Sequence, residues 1–219
     1  MLDAPSQSSS PGSSPSARTD DGLAGFTAHV AQVARQRAAA WDAFADVLTA
    51  PEVDTVVRLR SGELTEIWRA GVSWVGADTE MFTAALMSLD VYARAASRRT
   101  LDSDHAAFEA DHAALVAPYA ATLANLRAVA RSCSAEAAAW ADADLARGKD
   151  LRAHQHALVD EHLVPVLPEL AERLVVGARS DIWRVLGRLL LAFVSIETGR
   201  DYQRALLGEA RARLLHPTD

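Results

Sequence analysis

One cysteine, Cys133, and one lysine, Lys149, stand in a chain of 219 residues of which only 6% are aromatic. A lone cysteine excludes an internal disulfide and any paired-cysteine metal site, and it suits a reducing compartment. Its expected place is that of a small buried or boundary side chain. The single lysine lies in ARGKD, a poor context for a phosphate-binding loop or a Schiff-base nucleophile. Basic residues are few as well, 22 against 29 acidic, and the formal net charge of -7 lacks the electrostatic footprint of a nucleic-acid binder. The apolar stretch VLGRLLLAFVSI contains Arg188 and is too short to span a bilayer, so no membrane insertion is expected. Missing too are a glycine-rich nucleotide loop, a G-x-S-x-G elbow and H-E-x-x-H. The expectation from these absences is a cytoplasmic protein, with a catalytic triad assembled from distant residues still open.

What is present favours helices. Half the residues are hydrophobic and alanine is abundant, a mixture with high helix and low strand propensity. Residues 1–20 are rich in serine and proline and are expected to form a disordered tail, with neither a signal-peptide nor a twin-arginine pattern. From 21 to 216 the chain reads as one all-helical domain, a bundle of about eight to ten helices. The first helix should run from Leu23 to Thr49 and end at Pro51, a second should cover Val53 to Leu59, and a third should open at Ser61-Gly62-Glu63 and close at Gly76. Met81 to Ala96 repeats the apolar period through Phe82, Leu86, Leu89 and Tyr92. Asp102 or Ser103 can cap the next helix, which Pro118 stops. Beyond it, a break at Ser132-Cys133-Ser134 and a turn at Gly148 are expected, then a helix to Leu163 and a restart at Pro165 and Pro168. Gly177 should end the following helix, and Ser180 or Asp181 should cap the last, which carries Ile182, Leu186, Leu189, Phe193 and Ile196. Most of the five tryptophans should be core anchors.

The histidines are the remaining prospect for chemistry. SDHAAFEADHAALVAP repeats Asp-His-Ala-Ala at seven residues and puts His105, Glu109 and His112 on one helical stripe. With a ligand from residues 154 to 162, this stripe could make a metal-dependent helical enzyme. The plainer reading keeps Phe108 and Leu115 on the core side and leaves the polar stripe to solvent or a partner. His162, just before Leu163 and two prolines, is placed to serve unpaired carbonyls at a helix end.

The order of these segments resembles a family. RAAAWDAFADVLTAPEVDTVVRLRSGEL looks like the start of TorD-like redox-enzyme chaperones, ALVDEHLVPVLPELAERL is similar to their H-L-x-x-W-x-P segment, and DIWRVLGRLLLAFVSIE resembles their closing helix. His162, Leu163 and Pro168 match, with Val166 where tryptophan is usual. EADHAALVAP is similar to the family's E-Y-x-x-L-F-x-x-P, with Asp111 in place of the acid, His112 in place of the tyrosine, and Leu115 and Pro118 kept. The resemblance covers residues 34–200 and departs from the family in lacking its Pro-Asp-His loop. It implies an all-helical chaperone, not an enzyme and with no cofactor of its own, that binds the apo catalytic subunit of a molybdenum oxidoreductase, or its twin-arginine signal peptide, before cofactor insertion. Asp111, His112, Pro118, Tyr119 and His162 would then be partner-binding residues. A monomer and a helix-exchanged dimer both fit.

Overall fold

The computed structural model describes residues 15–49, 52–74 and 79–199, with side chains from residue 23 onward. Among the described residues there is no strand, and the architecture is an all-α single-domain bundle. Its helices are α1 (Pro15–Thr49), α2 (Val53–Ser61), α3 (Glu63–Gly71), α4 (Glu80–Arg94), α5 (Leu101–Asp111), α6 (Ala120–Ala141), α7 (Leu145–Leu158), α8 (Leu167–Gly177) and α9 (Asp181–Thr198). Pro51 and Gly76, expected to end helices, and residues 1–14 and 200–216 of the expected tail and domain lie outside the described residues.

α1 packs against α6, α6 against α7, and α8 against α9, while α3 also contacts α1 and α4 contacts α9. The core forms where apolar stripes of these helices converge, and Phe193 of α9 is its aromatic centre. Its ring lies 4.8 Å from Trp41, 5.1 Å from Phe44 and 6.2 Å from Phe82, spacings at which aromatic pairs add to plain area burial. Trp41, Trp68 and Trp183 are completely buried and Trp140 nearly so, as expected of anchors. Cys133 is also fully buried.

Several boundaries differ from the sequence expectation. α1 begins at Pro15, where the first fixed φ suits a helix start. Thr100 caps α5, its hydroxyl accepting the Ser103 N–H at 3.2 Å, so Asp102 and Ser103 fall inside the first turn. α6 runs unbroken through Ser132-Cys133-Ser134. There Cys133 faces the core, and Ser134 donates to the Ala130 carbonyl at 3.1 Å, which lets a serine sit inside a helix. Gly148 is helical as well. A Cβ at that position would come within 2.7 Å of the Trp140 ring, so the glycine lets α7 close onto α6. The turn lies earlier, at residues 142–144, where Ala143 takes φ 56 and Asp144 caps α7 by accepting the Arg147 N–H at 3.1 Å.

Pro118 does not simply end a helix. α5 widens into a π turn over His112–Val116 and a 3-10 turn over Ala117–Tyr119, and α6 starts at once. A second π turn, Val159–Leu163, follows α7 and precedes Pro165 and Pro168. Residues Leu101–Ala141 are together long and apolar enough, by length and composition, to cross a membrane. Within this stretch Leu123, Leu126 and Val129 are buried in the core of the bundle.

Candidate functional site

α5 places the repeated Asp-His-Ala-Ala words differently from the expected split into apolar core and polar stripe. The inward face is Asp104, Phe108 and Asp111, at i, i+4 and i+7. In each copy the aspartate is buried and the histidine is half-buried. Asp104 pairs with Arg60 and with the Arg99 Nε at 2.8 Å, and Arg99 lies over the Tyr92 ring at 4.3 Å. Two arginines thus neutralise one buried carboxylate, which would otherwise carry a heavy desolvation cost.

Asp111 anchors the opposite end of α5. Its Oδ1 accepts the Arg179 backbone N–H at 3.1 Å, and its Oδ2 accepts the Ser180 N–H at 2.8 Å and hydroxyl at 2.7 Å. These donors sit at the start of α9, where amides lack helical partners and negative charge is favoured by the dipole. Burial alone would raise the Asp111 pKa, but the hydrogen bonds from Ser180 and Arg179 outweigh it and hold the carboxyl below its ordinary value. Expected among the partner-binding residues, Asp111 is instead buried, and its acceptor capacity serves the α8–α9 connection.

His112 is likewise engaged within the fold. Its Nε2 lies 3.0 Å from the Leu48 carbonyl, a geometry that makes the ring nitrogen the donor. Leu48 belongs to the last turn of α1, so His112 performs the carbonyl-capping task expected of His162. Trp183 completes this junction, stacking on Phe108 at 4.3 Å and donating from its Nε1 to the Phe108 carbonyl at 2.9 Å. His162 itself is exposed in the second π turn, where backbone amides of Val164 and Val166 serve the Val159 and Leu163 carbonyls at 2.9 and 3.0 Å.

The outward side of the same junction has another character. Pro118 is exposed, and Tyr119 is half-buried with its hydroxyl donating to the Glu169 Oε1 at 2.8 Å. Arg173 lies 5.6 Å over the Tyr119 ring. Glu169, Arg173 and Val176 share one face of α8, and Val176 is 80% exposed. Ala113, Ala114 and Ala117 on the first π turn and the 3-10 turn after it are exposed too. The result is a small-residue and apolar surface edged by Glu169, the exposed Glu172 and Arg173.

No family model, curated protein or solved structure matches the chain. Among the described residues, no group of three or more histidine, cysteine, aspartate or glutamate side chains is arranged to hold a metal ion. Glu109 is exposed and His112 is committed to Leu48, while His154 and His156 are exposed on α7.

A second constellation was not foreseen. Arg37 of α1, Glu136 of α6, Gln155 of α7 and Glu197 of α9 are all buried and form one polar centre. The Arg37 Nε donates to the Glu197 Oε1 at 2.8 Å and its Nη2 to the Oε2, a fork-to-fork pair. Its Nη1 reaches the Glu136 Oε2 at 3.2 Å and the Gln155 Oε1 at 2.9 Å. Gln155 returns a bond to the Glu136 Oε2 at 2.8 Å, and the indoles of Trp41 and Trp140 donate to Glu197 and Glu136. Cys133 donates to the Gln155 Oε1 at 3.3 Å. Burial, with the two carboxylates nearby, pushes its thiol up to about 12 although Arg37 pulls the other way, which leaves no thiolate for chemistry at neutral pH. For Arg37, burial acts to lower the pKa, and pairing with Glu197 overrides it and raises it. This centre ties four helices together. Its sequence trace is phase: Arg37 and Glu136 each stand four residues before a buried tryptophan, Trp41 and Trp140.

Proposed function

We propose that the chain is a TorD-like maturation chaperone that holds the apo catalytic subunit of a molybdenum oxidoreductase, or that subunit's signal peptide, in the cytoplasm until cofactor insertion. One observation carries this reading. Two segments that resemble the family are brought together: Tyr119, which directly follows EADHAALVAP, meets Glu169 of ALVDEHLVPVLPELAERL 50 positions further along the chain. Each segment includes a π turn, a local widening that recurs at functional sites.

Pro118, Tyr119 and Val176 provide apolar contact area, and Glu169 and Arg173 provide a charged edge. That division suits a peptide whose apolar anchors supply most of the affinity while charge sets its orientation. Binding of this kind requires no catalytic group. In this reading Asp111 and His112 act from behind the surface by fixing the α5–α9 and α5–α1 junctions.

The test is to purify the tagged chain from its own cell and identify the chains that come with it. A molybdenum-type catalytic subunit is the expected companion. Val176→Arg, on a side chain that is 80% exposed, should cut recovery of that subunit by about fivefold or more, as for loss of a contributing interface anchor. A wild-type chain that captures no such subunit would overturn the chaperone reading. Full capture by a folded Val176→Arg variant would move the surface elsewhere.

A further inference from the structure

Residues 111–119 form a strap between α5 and α6, and the contacts of this strap divide at its π turn. Asp111, just ahead of the turn, holds the amides of Arg179 and Ser180, and His112, at its first residue, holds the Leu48 carbonyl. Further on, the strap lies against α8. Leu115 sits over Gly177, where an added Cβ would come within 3.3 Å of a Leu115 methyl, and Tyr119 donates to Glu169. Gly177 ends α8 without a positive φ, so its backbone does not require glycine. What the missing side chain provides is a seat for Leu115.

The α8 contacts occupy the groups that a partner would engage. The Tyr119 hydroxyl is committed to Glu169, and Arg173 lies 5.6 Å over the same ring, so the acid, the arginine and the aromatic ring of this surface pair with one another. At the boundary with water each pair is weak. Between the firm contacts at Asp111 and His112 and these weak ones, the backbone has slack. The Ala117 N–H reaches back to the His112 carbonyl, five residues earlier, which is one residue more than an α-helical turn holds. Pro118 has no N–H with which to continue either pattern, and α6 starts at Ala120. Passing the surplus residue from the π turn into the 3-10 turn over Ala117–Tyr119 re-aims Leu115 and Tyr119 and leaves Asp111 and His112 in place.

We propose that the self-paired Tyr119 surface is a closed, autoinhibited state and that the His112–Val116 turn is the hinge that opens it. On opening, the surplus residue moves towards Pro118, Leu115 leaves Gly177, and Tyr119 leaves Glu169. Glu169, Arg173 and the Tyr119 ring are then released to an incoming peptide segment. Asp111 and His112 keep α5 against α9 and α1 meanwhile, so the core stays closed. The identity of the partner rests on the chaperone reading, whereas the motion rests on the strap alone.

Amide hydrogen exchange in the full chain tests the motion without any partner. Tyr119→Phe combined with Arg173→Ala removes both closing contacts at the surface. The Leu115, Val116 and Ala117 amides should then exchange about fivefold faster, while the Arg179 and Ser180 amides, held by Asp111, keep their rates. Equal acceleration of both sets would mean that the strap and the start of α9 open together, and no acceleration of the first set would mean that the α8 contacts do not hold the strap. Either result overturns the proposal. Tyr119→Phe alone should raise recovery of a copurifying molybdenum-type catalytic subunit by about twofold, the size of one solvated bond. Unchanged or lower recovery would overturn autoinhibition and leave the chaperone reading standing. A wild-type chain that recovers no such subunit would sink the chaperone reading instead, and the exchange rates would still decide the hinge.

Discussion

Charged groups are handled in opposite ways at the Arg37 centre and at the Tyr119 surface. At the first, one guanidinium, two carboxylates and an amide are enclosed by four helices, and every side-chain nitrogen and oxygen of these groups has a partner inside the chain. At the second, Tyr119 donates to Glu169 at 2.8 Å, and Arg173 lies 5.6 Å over its ring, at the boundary with water. A carboxylate is an acceptor in both regions, yet losing its partner has different consequences. In the enclosed centre a lost partner leaves a charge that water cannot reach, whereas at the surface water takes the vacated place. The enclosed centre fixes the bundle, and the surface can exchange partners at little cost.

Removing the central cation should widen this contrast most. Arg37→Met is expected to lower unfolding free energy by about 3–5 kcal/mol, because two buried carboxylates lose their counter-charge. Chemical denaturation measures it, and replacing Glu136 and Glu197 by apolar residues in the same chain should recover much of the loss. A cost under about 1 kcal/mol for Arg37→Met would mean that water enters the centre.

Next in size is Gly148→Ala. The added methyl would meet the Trp140 ring at 2.7 Å, beside the indole that donates to Glu136. A loss of about 1–3 kcal/mol is expected for overpacking a closed contact, with a change in tryptophan fluorescence.

Asp111→Asn stands between the two regions, being buried but close to the surface. Loss of charge at the α9 start should cost about 1–2 kcal/mol at neutral pH. The folded Asp111 pKa is lowered, so its contribution is present above the unfolded value of about 4 and is lost as pH falls through the lower folded value. The wild type and Asp111→Asn should accordingly converge in stability under acid. A gap that stays constant to the lowest pH would assign the loss to geometry alone.

Tyr119→Phe should have the smallest effect, about 0.5 kcal/mol or less, since its bond to Glu169 is solvated. A loss comparable with that of Arg37→Met would erase the distinction between the two regions.

The fold was legible wherever apolar residues recur at helical spacing, and least legible where a small residue had two uses. Gly148 and the Ser132-Cys133-Ser134 run look like breaks in one dimension. Both are helical because Trp140 and the core supply a tertiary reason for small side chains there. The site shows the same limit. In the sequence, acid and imidazole coincide on the His105, Glu109 and His112 stripe. Yet the buried positions are those of Asp104 and Asp111, whose partners Arg60, Arg179 and Ser180 lie on other elements. Pro118 and Tyr119 were legible as an interruption, but their neighbours on α8 were not.

Alanine abundance and the 3.6-residue period by themselves determined an all-helical chain and most of its core, because burial of a helix face follows from spacing along one segment. The lone cysteine by itself excluded an internal disulfide. Tertiary structure alone decided which charges went inside. A buried carboxylate is tolerated only where donors from distant segments converge on it, and no spacing within one helix records whether Arg37 will meet Glu136 and Glu197, or Asp111 the amides that open α9.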